Sequence, residues 1–176
     1  MTADRSGAPG PYDDLPPVPS FHVSSAAFED GGTLPPAHTL RGGNTSPPLS
    51  WSGAPGGTRG YAVTCFDPDA PGAGFWHWAV FGISPDVTDL PVDAGARGGA
   101  GLPEGAFHLS NDFGRPDYGG AAPPRGHGPH RYVFAVHALD TADLRLPGSA
   151  DPRDALSAAV PHTLARGVVV ALYRTP

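Results

Sequence analysis

A mostly antiparallel β-sandwich carrying one helix near its C-terminal end is the fold class that the sequence predicts, on three observations. Glycine and proline number 25 and 23 in a chain of 176 residues, which disfavours a helical bundle and favours short strands joined by many turns. Several runs rich in aromatic and β-branched residues are apolar on both parities, the pattern of strands covered on both faces. One stretch, Asp151-Pro152-Arg153-Asp154, offers an N-cap, a proline at the first helical position and an acid in the first turn.

Taken in order, residues 1–19 carry five prolines and three acids with little apolar content, and read as a flexible or loosely draped arm. A single sandwich domain spans 20–176. Its first strand opens within Pro19–Phe28, and the loop-rich stretch 31–60 has room for short strands around Thr39-Leu40 and Leu49-Ser50-Trp51. The main strands are Tyr61–Phe66, His77–Ile83, Arg131–Leu139 and Gly167–Tyr173. The long loop 91–129 between them is of the kind that carries function or disorder. A helix follows over about 151–160; Pro161 ends or kinks it, with a further turn over His162–Arg166.

Composition removes several function classes. The net charge of −6 gives no basic stripe for nucleic acid, and no basic run addresses an anionic membrane surface. All eleven basic residues other than histidine are arginine, so Schiff-base, P-loop and Ser-x-x-Lys chemistry are excluded. Cys65 is alone, which rules out an intrachain disulfide and a thiolate zinc site. No basic region leads into an apolar stretch at the N-terminus, and no run approaches the ~18 apolar residues of a membrane span. A cytoplasmic protein without cofactor or resident metal is expected.

Chemistry concentrates at two places. Asp67-Pro68-Asp69-Ala70-Pro71 follows directly on a strand; its prolines stiffen the turn, and Asp67 and Asp69 share a side if the backbone stays extended. His77 lies between Trp76 and Trp78, which are expected to wall the imidazole from water. Elsewhere, His130 and Tyr132 face the same way on one strand, ~7 Å apart, with Phe134 and Val136 below them. A face that is polar at its mouth and apolar at its base is the profile of a small-molecule pocket. From these residues alone a metal site, an acid/base enzyme, an anion pocket and a plain structural turn are all open. No nucleophile is evident: Cys65 falls inside a strand, and Ser110 has no motif around it. His137 has the opposite parity to His130 and reads as a core histidine. Arg131 reads as a structural ion pair, Asp112 as a turn cap or a support for a histidine, and His127 as an exposed loop residue near the pocket entrance.

The chain resembles the phosphatidylethanolamine-binding proteins, in the bacterial branch called Raf-kinase-inhibitor-like (YbhB/YbcL-like). The motifs run in family order: Gly43-Asn44-Thr45-Ser46-Pro47, Val63–Pro71, Trp76-His77-Trp78, Asn111-Asp112-Phe113-Gly114, Tyr118–Gly126 and His130–Leu139. The resemblance implies a β-sandwich with Greek-key connections and a small anion pocket near one end. By motif, that pocket is lined by Asp67, Asp69, His77, Ala122, Pro123, His130 and Tyr132, with Tyr118 at its rim. Two departures stand out: Gly82 where relatives commonly carry asparagine, and Ala121-Ala122 in place of a more glycine-rich turn. The implied function is binding of a phosphate- or carboxylate-bearing, anionic or zwitterionic ligand. The alternatives are an enzyme using Asp67, His77 and His130 for proton transfer, and a regulatory inhibitor of an unidentified protein partner. A homodimer is also implied by the bacterial branch.

Overall fold

The computed structural model describes residues 9–176. In chain order its strands are β1 (His22–Ser24), β2 (Leu49–Ser52), β3 (Gly60–Asp67), β4 (Phe75–Ile83), β5 (Asp89–Leu90), β6 (Phe107–His108) and β7 (His130–Leu139). Helix α1 (Pro152–Ala159) and β8 (Thr163–Tyr173) complete the chain. β1, β2 and β5 form one antiparallel sheet, and a second holds the order β6-β4-β3-β7-β8. The long connection brings β7 back beside β3, so β7-β3-β4-β6 has the spatial order of a Greek key.

Two-sided burial explains the apolar runs of β3, β4 and β7; the run Gly167–Tyr173, expected to be covered on both faces, lies on the edge strand β8 and is buried on one face, with Val168 exposed. Tyr61, Val63 and Cys65 of β3 and Tyr132, Phe134 and Val136 of β7 meet Val23, Leu49, Trp51 and Leu90 in the core between the sheets. The opposite parity, Ala62 with Ala79, Phe81 and Leu139, packs against Ala155 and Ala159 of α1. The helix starts where its signals lie: the Asp151 carboxylate accepts from the Asp154 N–H at 2.8 Å, and Pro152 occupies the first turn.

Local signals fail where pairing decides. The turn expected over His162–Arg166 is strand from Thr163 onward, because β8 pairs with β7 along its length, from Leu139↔Thr163 to His130↔Tyr173. Thr39-Leu40 contributes one isolated bridge, Thr39 to Ala121, rather than a strand. β6 lies inside the loop expected over 91–129 and adds an edge to the large sheet through Val80 and Phe81. Gly82 takes φ +72° beside a bulge in the β3–β4 ladder, where a Cβ would stand 2.8 Å from the Gly105 carbonyl oxygen. That position therefore favours glycine on both backbone and steric grounds.

Residues 9–19 lie across the outer face of the large sheet. Tyr12 and Leu15 pack on Phe66, Trp76 and Leu156. The Tyr12 hydroxyl meets Thr64 Oγ1 at 2.7 Å, and its ring stands edge-on to His137 with centroids 5.3 Å apart. His137, the expected core histidine, is fully buried. Arg166 Nε donates to its Nδ1 at 3.0 Å. The proton of the neutral ring is therefore on Nε2, which donates to Thr64 Oγ1 at 2.9 Å. Burial, and then the Arg166 charge, push the imidazole down to about 3.

Because folding lowers this pKa, the neutral ring contributes its full stability above the unfolded value near 6.5, and loses it as pH falls from there toward 3. Between pH 6.5 and 5 the loss from one such group is about 2 kcal/mol. Thermal melts at pH 7 and pH 5 should show a smaller acid-induced loss for His137→Gln than for wild type. Identical losses would exclude His137 as a source.

Candidate functional site

β3 runs antiparallel to both its neighbours, so its C-terminal end meets the N-terminal ends of β4 and β7. Asp67, His77, His130 and Tyr132 are gathered there. All four are buried, with relative exposures of 2%, 4%, 4% and 1%.

Asp67 is the anchor. Its Oδ1 accepts from the backbone N–H groups of Asp69 and Ala70 at 2.8 and 3.1 Å, and its Oδ2 faces His130 Nδ1 at 2.7 Å. A carboxylate only accepts, so His130 Nδ1 carries a proton and its remaining nitrogen, Nε2, is the one available for other work. That Nε2 stands 3.1 Å from Nδ1 of His127, which is exposed.

Asp69, grouped with Asp67 in the sequence reading, lies elsewhere. The chain turns after Asp67 instead of staying extended. Both Asp69 oxygens go to Arg131: Oδ2 accepts from its N–H and Nε at 2.8 and 2.9 Å, and Oδ1 from Nη2 at 2.8 Å. Arg131 and His130 project to opposite faces of β7, so the two carboxylates clasp neighbouring residues of one strand from opposite sides.

His77 owes its position to a bulge. Cys65 pairs with Trp78 and Phe66 with Trp76, which leaves His77 without a partner on β3. Trp78 consequently enters the core between the sheets while Trp76 packs on the outer face with Phe66 and Leu156. The imidazole is not walled by these tryptophans. Its neighbours are the rings of Phe75, Tyr132 and Phe113, at centroid distances of 4.8, 5.2 and 5.6 Å. Burial lowers the His77 pKa, so the ring is neutral at pH 7; Nδ1 donates to the Gly119 carbonyl at 2.7 Å and Nε2 keeps its lone pair.

The Gly-rich stretch is zipped to this end of β4. Gly119 N–H donates to the His77 carbonyl at 2.9 Å, and Gly120 N–H to Asn44 Oδ1 at 2.8 Å. Asp112 Oδ2 accepts from Trp76 N–H at 2.8 Å, and Asn111 ties the following turn together through Phe113, Arg115 and Asp117. Ala122 is exposed and Pro123 buried. Tyr118 is buried against the Trp78 ring, and its hydroxyl donates to the His38 carbonyl at 2.8 Å, so the phenol is committed to the scaffold. Cys65 is buried in the core, its thiol pushed up by burial.

Tyr132 differs from Tyr118. Its hydroxyl is buried and forms no hydrogen bond of standard geometry, with the Asp67 carboxylate and the Ala122 backbone as its polar neighbours. Burial, and then the Asp67 charge, raise its pKa, so it stays a protonated donor. Among the described residues, no group of three or more His, Cys, Asp or Glu is placed to hold a metal ion, and no helix is long and apolar enough to cross a membrane.

A family model described as phosphatidylethanolamine-binding protein matches residues 24–174. The chain belongs to the phosphatidylethanolamine-binding protein family. It is 52% identical over 128 residues to the UPF0098 protein YbcL of Escherichia coli, covering 69% of this chain and 70% of that protein. It is 41% identical over 154 residues to a UPF0098 protein of Methanothermobacter thermautotrophicus, covering 88% and 99%. The crystal structure of E. coli YbcL, described as a new member of the mammalian family, superposes with a TM-score of 0.86 at 41% identity over 89% of this chain and 99% of that one. A homologue from Chlamydia trachomatis gives a TM-score of 0.76 at 27% identity, with the same coverage.

Several residues of this family member's site escaped the sequence reading. Phe75 and Phe113 wall His77, and Asn44 fixes the Gly120 turn. Phe113 and Asn44 lie inside motifs that carried the resemblance, but nothing local ties them to His77. His127, three residues before His130, reads as an exposed loop residue in the sequence, and its contact with His130 depends on how the loop folds.

The Asp69–Arg131 pair yields a pH prediction. Burial opposes ionisation of Asp69, but the hydrogen bonds and charge of Arg131 outweigh it and hold the carboxyl below its ordinary range. The pair therefore stabilises above the unfolded carboxyl value of ~4, and its contribution is lost as pH falls below that. Asp69→Asn should cost about 1 kcal/mol at pH 7, and less with each step from pH 4 downward. Urea titrations showing a constant difference across that range would contradict the pairing.

Proposed function

We propose that this protein holds a small phosphate- or carboxylate-bearing ligand at the end of β3, between His130, Tyr132 and His77. The observation that carries the reading is the Tyr132 hydroxyl, a protonated donor buried without a well-formed hydrogen bond beside an oriented imidazole. A buried hydroxyl held this loosely is costly, and a ligand oxygen lowers that cost.

Asp67 at first argues against an anion. Its oxygens, however, are met by two backbone N–H groups and the His130 ring, so its charge is spent on preparing donors. The carboxylate holds the His130 ring through Nδ1 and so fixes Nε2 toward the ligand position, where it meets a ligand oxygen. His77 supports the complementary half: a neutral ring with a free lone pair accepts from a protonated phosphate oxygen or from the ammonium of a zwitterion. The aromatic walls exclude water and strengthen each of these bonds. Membership of a family named for binding phosphatidylethanolamine agrees with this chemistry.

A second reading has its own observation. A buried carboxylate holding an imidazole at 2.7 Å is also the arrangement of a general acid–base pair, with Tyr132 as a donor to a developing oxyanion. Turnover of a small metabolite with a bell-shaped pH profile, abolished by His77→Ala, would favour it.

For the binding reading, calorimetry with inorganic phosphate and with phosphoethanolamine should show weak binding to wild type. His130→Ala should abolish it, and Tyr132→Phe should weaken it about tenfold or more, as expected for a hydrogen bond to a charged group. Equal affinities for wild type and Tyr132→Phe would remove the observation on which the reading stands.

A further inference from the structure

We propose that His127 is a displaceable cap on the ligand position of His130, so that an incoming anion binds by replacing one imidazole with its own oxygen. This rests on the anion-pocket reading above and adds a residue to it.

His130 has two ring nitrogens, and one of them is taken. Nδ1 is committed to Asp67 Oδ2 at 2.7 Å, and the ring is 4% exposed. Only Nε2 can meet a ligand, and Nδ1 of His127 already lies 3.1 Å from it. A ring nitrogen has a single in-plane direction for a hydrogen bond, so a ligand oxygen and the His127 nitrogen cannot both occupy it. His127 Nδ1 thus occupies the place that a ligand oxygen would have to take. The two rings are near-neighbours tilted by 34°, with centroids 5.4 Å apart.

The segment carrying His127 suits a part that leaves and returns. Residues 124–129 are all exposed, and His127 is held by one backbone bond, from its N–H to the Pro124 carbonyl at 3.2 Å. Gly126 has φ +85°, and neither Gly126 nor Gly128 has a neighbour within 4 Å of where a Cβ would stand. Two glycines in open space give the intervening residue backbone freedom. Pro123 and Pro124 on one side and Pro129 on the other confine that freedom to the short stretch between them. A displaced imidazole enters water and regains its hydrogen bond there. The penalty on ligand binding is therefore modest, and the ligand must match the strength of the bond it breaks, which favours charged oxygens over neutral ones.

Two measurements test the cap on the full chain. In ¹⁵N-labelled ligand-free protein, a scalar coupling across the hydrogen bond should connect His127 Nδ1 with His130 Nε2 and vanish as inorganic phosphate is added. In calorimetry, His127→Ala should bind inorganic phosphate about two- to tenfold more tightly than wild type, the range of one net hydrogen bond. Equal affinity in the two proteins overturns the cap and leaves the pocket assignment standing. Weaker binding by His127→Ala also overturns it, since His127 would then be a donor to the ligand. If neither protein binds phosphate, the anion reading falls and the cap falls with it.

Discussion

Between the pairs Cys65–Trp78 and Phe66–Trp76 the ladder joining β3 and β4 gains one residue, and that residue is His77. A regular strand would send Trp76 and Trp78 to the same face and His77 to the other. The extra residue instead sends the two tryptophans to opposite faces, one into each layer of the core, and leaves the histidine to turn sideways. Its backbone carbonyl and its ring nitrogen are both free to bond Gly119, which draws the glycine stretch onto the end of the sheet. The turn at Asp67 then faces a second wall, built by the glycine stretch on the histidine.

The two aspartates at this end illustrate how surroundings divide identical side chains. Asp67 is buried, and its charge is met by N–H donors on both oxygens, which turns it into a device for orienting His130. Asp69, two residues on, is more exposed and grips a permanently charged guanidinium. The first prepares chemistry and the second fastens the turn to β7. Pro68 separates them and cannot continue the ladder, so the backbone turns between them and their side chains diverge.

Much of this was legible in the sequence, for identifiable reasons. The apolar runs of β3, β4 and β7 follow from double burial, whereas Gly167–Tyr173 in β8 is buried on one face only, and the Asp151-Pro152 cap places α1 at its observed start. His130 and Tyr132 share a face because β7 is regular there, so period-two reasoning holds. The same reasoning misplaces Trp76 and His77, because a bulge breaks the period and leaves no mark in local composition, and it misplaces Asp69 because the proline-marked turn ends the extended backbone that a shared side requires. The strand starting at Thr163 is likewise imposed by its partner β7, against a local signal for a turn. Tyr118, expected at the rim, is committed to the scaffold by the carbonyl of His38, a long-range contact that nothing in the local sequence marks.

Tyr12 bears on where the folding unit begins. The family match starts at residue 24, yet the hydroxyl of Tyr12 closes a chain of hydrogen bonds running through Thr64 and His137 to Arg166, and its ring lies under that guanidinium at 4.7 Å. β3 therefore carries polar chemistry on both sides. One side ends in the cluster of Asp67, His77, His130 and Tyr132, and the other is covered by a segment that precedes the family match. A chain trimmed to that match would leave Thr64 and His137 without the hydroxyl and the ring that cover them.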